Sequence, residues 1–331
     1  MPLLHDRYPE LRDTLPHLSL GAAPTPLRRL PAFPGAETEI WIKDEGVFGD
    51  GGWGGNKVRK LEWLLPDVVR RGRRTILTVG GLGTNWGLAA ALYAGEHGLA
   101  TVLALVDQPV DEHVRAQLDR LRNSGATVYF THTVARTALS VPGLLVRHRT
   151  GWTPPYLLPA GGSSPVGVLG YVEVGLELAA QVEAGIMPEP THIVTAVGSG
   201  GTAAGLALGL ALAGLRTCVV GVVVNDKLRL DQRGLLRAAR RAERLLRARG
   251  ACLPDPVLTA DRLLLVRDQL GPGYGHSTES GRAARTSALE YADLELEPVY
   301  TAKAMAAVLD LDRRRVLGGG PVVYLHTDGP R

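Results

Sequence analysis

The chain has 331 residues, 45% of them hydrophobic and 21% charged, a composition that suits a soluble globular protein of one large or two modest domains. A formal charge of only +4 argues against a dedicated nucleic-acid binder, and Cys218 and Cys252 form no spacing for a zinc site or a disulfide scaffold. The basic residues are nearly all arginine. Lys43, Lys57, Lys60, Lys227 and Lys303 are the only lysines, and each is a better functional candidate than usual, because an arginine cannot supply a neutral amine.

In chain order, Met1 to Pro16 carries charges with no apolar run behind them. Neither a signal peptide nor an anchor is expected, so a cytoplasmic location is the default. The glycine-rich turn Gly51-Gly52-Trp53-Gly54-Gly55 then opens a helix, with Asn56 as its candidate cap and with Lys57 and Lys60 on one face of its first turn. A neighbouring cation and a dry pocket would both lower an amine's pKa toward the neutral form that Schiff-base chemistry needs. Two ordinary solvated lysines are the alternative, and Pro66 limits how far this helix is expected to run.

Strands are expected at Thr75–Gly80, Ala100–Val106, Ala126–Phe130 and Tyr156–Pro159, with a helix from Glu112 to Asn123 between two of them. That order reads as a parallel α/β unit. A second series follows: a helix from Pro165 to about Ala184, a strand Thr191–Val197, a helix Gly201–Ala213 and a strand Thr217–Val224. Leu263–Val266 and Val322–His326 are expected in the same sheet. The apolar stretch Ala203–Leu215 is too short to span a bilayer and reads as a buried helix. The arginine-rich segment Lys227 to Arg249 carries leucines and alanines at helical spacing, so it reads as an amphipathic helix with one solvated face.

Doubly wound sheets bind ligands at the carboxyl ends of their strands, which singles out three more segments. Gly198-Ser199-Gly200-Gly201-Thr202 follows a strand and starts a helix, where free N–H groups would hold a phosphate without any lysine. No P-loop lysine follows, although a loose dinucleotide fingerprint with Asp226 as a ribose ligand also fits. Gly83-Thr84-Asn85-Trp86 and His326-Thr327-Asp328-Gly329 also place polar side chains at strand ends, as ligand contacts or as capped turns.

Together these segments resemble the D-cysteine desulfhydrase and 1-aminocyclopropane-1-carboxylate deaminase family, a branch of the tryptophan-synthase-β-like pyridoxal-phosphate enzymes. The match runs from Pro24-Thr25-Pro26-Leu27 to His326-Thr327. Gly-Gly-Asn-Lys-x-Arg-Lys-Leu-Glu, its most specific element, is intact at Gly54 to Glu62, with support from Gly198–Gly205, Gly271–Gly275 and Glu297–Met305. The resemblance implies two doubly wound parallel-sheet domains of the tryptophan synthase β type (fold type II). Residues 1–56 and 166–331 would form the large domain and 57–165 the small one, with pyridoxal 5'-phosphate in the cleft between them.

It further implies that Lys57 bears the cofactor, that Asn85 contacts its phenolic oxygen, and that Gly198, Ser199, Gly200, Gly201 and Thr202 bind its phosphate. Thr327 would face the pyridine nitrogen. Thr84 stands where the family usually has a serine that meets the substrate carboxylate and takes part in the chemistry. Trp86, Tyr274 and Tyr300 would line the substrate side, with Tyr300 also in a catalytic role. The implied reaction is α,β-elimination on a cysteine-like amino acid, giving a keto acid, ammonia and sulfide or thiol. Thr301 and Thr327 look more like the desulfhydrase branch than the deaminase branch. Departures cluster around the substrate: Trp86 replaces a His or Gln, the arginine usual near Leu88 is missing, and Asp328 replaces a glycine. Competing expectations are β-replacement, deamination of a pathway-specific amino acid, a nicotinamide-dependent oxidoreductase built on the Gly198 loop, and a catalytically inactive binding protein of the same fold. The expected partner is a small-molecule amino acid, with no nucleic acid, membrane or metal, and the family suggests a homodimer.

Overall fold

A computed structural model describes residues 1–49 and 55–329. The glycines expected to form the turn at Gly51 to Gly54 lie outside the described residues. Ten strands are described: β1 (Leu27–Arg29), β2 (Ile40–Asp44), β3 (Thr75–Gly81), β4 (Ala100–Val106), β5 (Thr127–His132), β6 (Tyr156–Leu157), β7 (His192–Val197), β8 (Cys218–Val223), β9 (Leu263–Val266) and β10 (Val322–His326). The helices are α1 (Leu3–Arg7), α2 (Val58–Arg70), α3 (Asn85–Glu96), α4 (Glu112–Arg122), α5 (Val134–Arg147), α6 (Pro165–Glu183), α7 (Gly201–Leu212), α8 (Gln232–Ala248), α9 (Glu279–Ala292) and α10 (Thr301–Arg313).

The strands form two sheets, one of six strands in the order β1-β2-β10-β7-β8-β9 and one of four in the order β5-β4-β3-β6. Both are parallel except for β1, which runs antiparallel to β2 at the edge of the larger sheet. The fold class is therefore α/β with two parallel sheets. Strand β8 lies inside the sheet between β7 and β9: Cys-Val-Val-Gly-Val-Val is almost continuously buried, as a strand covered by helices on both faces must be. Helices α6 and α7 are apolar on nearly every side: α7 packs on β7, β8 and β9, and α6 packs on α7, α2 and α8.

Helix α6 positions the site. A Cβ added to Gly170 would lie 2.2 Å from the carbonyl oxygen of Arg59 on α2, and one added to Gly209 on α7 would lie 2.3 Å from the carbonyl oxygen of Val172 on α6. Both helices therefore press backbone to backbone on α6, which only glycine allows. Helix α2 also runs straight through Pro66 to Arg70. The proline removes an N–H, but the Glu62 carbonyl it would have served accepts from the Leu18 N–H instead, at 2.9 Å.

A buried charge cluster ties these elements together. The Arg59 guanidinium, 1% exposed, donates to both oxygens of Glu45 (2.9 and 3.1 Å) and to Glu177 on α6 (2.8 Å). It also lies 3.7 Å from the centre of the Phe48 ring. Lys43 of β2 pairs with Glu177, and the Thr25 hydroxyl donates to Glu45 at 2.6 Å. Two cations thus balance two anions. Burial works against the Arg59 charge, but Glu45 and Glu177 outweigh it and hold the guanidinium protonated.

Among the described residues no helix is long and apolar enough to cross a membrane, and no cluster of His, Cys, Asp and Glu could hold a metal ion.

Candidate active site

The carboxyl ends of both sheets face one cavity of about 390 Å³, within the range of small-molecule sites. Lys57 opens onto it at the amino end of α2, where it takes the N-cap position with helical backbone and no side-chain cap. Asn56, expected as the cap, does not fill that role and lies buried against the cavity wall. Only part of the Lys57 surface reaches the cavity, and burial pushes its amine down to about 8. The neighbouring cation is felt mainly by Lys60: burial, and then the Lys57 charge, hold that amine well below the usual lysine range.

Lys60 does not face solvent. Its Nζ donates to the Gly161 carbonyl at 2.9 Å and lies 3.1 Å from where a Cβ on Gly201 would stand. A second amine therefore stands beside the start of α7, where the sequence pointed only to backbone N–H groups. Around that start, Gly200 takes the N-cap position in a left-handed conformation at φ 88°. The Gly201 N–H donates to Ser163 Oγ at 3.2 Å, which stands 2.9 Å from Ser199 Oγ. Gly198, Ser199, Gly200 and Thr202 reach the cavity surface, whereas Gly201 is buried and does not.

From the smaller sheet, Thr84 caps α3, its Oγ1 accepting from the Gly87 N–H at 3.0 Å. Asn85 follows and is exposed to the cavity, its Oδ1 accepting from Gln117 Nε2 at 2.6 Å. Trp86 contributes to the cavity wall but is only 3% exposed; its indole N–H donates to Thr78 Oγ1 at 2.8 Å, so its polar edge points away into the smaller sheet.

The larger sheet supplies Thr327 just beyond β10, and Tyr274 adds to the wall together with Tyr300 and residues of α5. Tyr274 and Tyr300 meet edge to face with ring centroids 6.3 Å apart. Burial raises both phenols above their ordinary range, and Tyr274 raises Tyr300 further. The Glu297 carboxylate accepts the Tyr300 N–H at 2.6 Å, and Asp226 accepts the Tyr274 N–H at 2.9 Å. Asp226 therefore anchors the loop that carries Tyr274, and it does not line the cavity.

The residues present fit a phosphate-bearing aldehyde: an amine that burial biases toward neutrality faces a helix start ringed by N–H groups, hydroxyls and a second amine. Sequence reasoning missed Ser163 and Gln117. Ser163 follows two glycines before a helix, a weak cue, and Gln117 lies inside an ordinary amphipathic helix.

Fold and cavity define a two-sheet α/β enzyme of the kind that holds an aldehyde cofactor on a lysine. The family profile of pyridoxal-phosphate dependent enzymes matches residues 18–328, and the chain belongs to that family, with pyridoxal 5'-phosphate as its cofactor. Among solved structures it is similar to an ACC deaminase homologue, at 28% identity and a TM-score of 0.80 over 97% of this chain and 94% of that one. A hydrogen sulfide-producing enzyme from Fusobacterium nucleatum (15% identity, TM-score 0.62, 94% of each chain) shares the fold. So does an O-acetylserine dependent cystathionine beta-synthase from Helicobacter pylori (19% identity, TM-score 0.62, 94% of this chain and 93% of that one).

Proposed function

We propose that this protein is a lyase that carries out α,β-elimination on a cysteine-like amino acid, as a D-cysteine desulfhydrase does. Water is consumed, and a keto acid, ammonia and sulfide or a thiol are released. The observation that carries the reading is the Lys57 amine, biased toward neutrality and set in one cavity with the Gly198–Thr202 helix start and two half-buried tyrosines. When bound, the cofactor would supply an electron sink for the α-carbon. Lys57 would hold it and then take the α-proton, a role suited to an amine with a pKa near 8. Ser199, Gly200 and Thr202 would bind the phosphate, together with the backbone at Gly198, while Lys60 stands behind the helix start.

Asn85 would donate to the phenolic oxygen and Thr327 would face the pyridine nitrogen. A neutral threonine does not favour a protonated ring nitrogen as a carboxylate would, which keeps charge near the α-carbon and favours elimination over transamination. Thr84, at the amino end of α3, would meet the substrate carboxylate, where the helix dipole favours negative charge. Tyr274 and Tyr300 would close the substrate side, and Tyr300, held neutral by burial, could pass a proton to the leaving group.

A second reading, deamination or β-replacement on another small amino acid, is favoured by the likeness to the ACC deaminase homologue and by Trp86 and Leu88 in the wall. Incubation with D- and L-cysteine, cysteate and S-substituted cysteines, with keto acid and sulfide assayed, separates these outcomes. Pyruvate with sulfide supports elimination, while a new amino acid in the presence of an added thiol supports replacement. Bound cofactor with no turnover across the panel would instead indicate a binding protein. The Lys57→Ala protein is expected to lose the covalent visible band, and its persistence would refute the assignment of that lysine.

A further inference from the structure

We infer that Gln117 and Arg120, both on α4, form a relay that sets which end of the Asn85 amide faces the cavity and makes Asn85 a dedicated N–H donor. The inference deepens the proposed function and rests on its placement of the cofactor's phenolic oxygen beside Asn85.

The direction of the relay follows from donor chemistry. An arginine side chain has donors only, and Arg120 Nη1 lies 3.4 Å from Gln117 Oε1, so that end of the Gln117 amide must be its oxygen. Its nitrogen is then the end 2.6 Å from Asn85, and the Asn85 atom that accepts must be Oδ1. The Asn85 oxygen is thus satisfied inside the protein, and Nδ2 is left for the cavity. Gln117 is only 3% exposed, so bulk water offers little substitute for the 2.6 Å bond, and reversing one amide would set two donors or two acceptors against each other. A fixed donor recognises an ionised oxygen. By holding negative charge on the phenolic oxygen, it also competes with the proton carried on the Lys57 linkage and makes that proton easier to lose.

Gln117 and Arg120 are therefore positioning residues that act through Asn85. The test is a pH titration of the visible band of the holoprotein in the wild type, Asn85→Ala, Gln117→Leu, Gln117→Glu, Arg120→Met and the Asn85→Ala/Gln117→Leu double variant. Each single variant is expected to move the midpoint upward by about half to one pH unit, roughly a three- to tenfold change in proton affinity. The double variant is expected to titrate with Asn85→Ala alone. Gln117→Glu keeps the side-chain shape and Arg120→Met changes a half-exposed position, so these two carry the test if Gln117→Leu does not fold. The relay is overturned if those variants titrate with the wild type, or if Gln117→Leu adds its full shift on top of Asn85→Ala. A wild type with no visible band, or an Asn85→Ala protein that titrates normally, would sink the cofactor placement itself.

Discussion

A buried amine with a pKa of about 8 differs in kind from a surface lysine. At pH 7 about a tenth of such an amine is neutral, against roughly one part in three thousand at the ordinary value of 10.5. The folded value is lowered, so the neutral fraction grows as pH rises toward 8 and changes little above it. Cofactor-stripped protein is accordingly expected to take up the aldehyde about tenfold faster per pH unit below 8, with a plateau above; stopped-flow absorbance at several pH values checks this. A profile still climbing at pH 10 would mean that Lys57 is effectively solvated. Lys57 was legible beforehand because arginine stands nearly everywhere a solvent charge suffices and because its flanking motif is intact. Ser163 and Gln117 were not, since a hydroxyl or amide acting through a neighbour leaves no spacing of its own.

Among the elements, α6 carries the most packing consequence. Ala for Gly is worth about 1 kcal/mol in favour of an isolated helix, yet at Gly209 the added methyl would sit 2.3 Å from a backbone oxygen that cannot rotate away. Overpacking of this kind costs about 1–3 kcal/mol and should reverse the sign. Gly209→Ala is thus expected to lower the urea midpoint of unfolding, while an exposed helical glycine such as Gly95 replaced by alanine should not. Long apolar elements, including β7, α7 and β8, were legible because their pattern is dictated by burial on both faces. The reach of α2 past Pro66 was not, because the bond that compensates the proline comes from Leu18, far away in sequence. Strands β1 and β2 escaped notice too: three and five residues long at one side of the sheet, they carry little periodic signal.

For the molecule as a whole, the Arg59 cluster joins β2, the turn after it, α2 and α6 at one buried point. Removing one partner from such a cluster strands a buried charge, so Arg59→Met should cost about 3–5 kcal/mol, measured by urea unfolding of the cofactor-free protein. Arg59→Lys should recover little of this, since an ammonium cannot make the two-pronged contact with Glu45 while also reaching Glu177. A loss below about 1 kcal/mol in Arg59→Met would show that water relieves the stranded carboxylates.

The N–H of Leu18 that serves the Glu62 carbonyl has company: Leu20 donates to the Glu62 side chain at 3.0 Å, while the N–H groups of Leu3 and Leu4 both reach Glu173 on α6. The opening stretch of the chain is therefore a belt buckled onto α2, which begins at the Lys57 amine, and onto α6, which packs on α7. Trimming that belt, or fusing a rigid partner to it, is expected to be felt at the cavity even though none of its residues lines it.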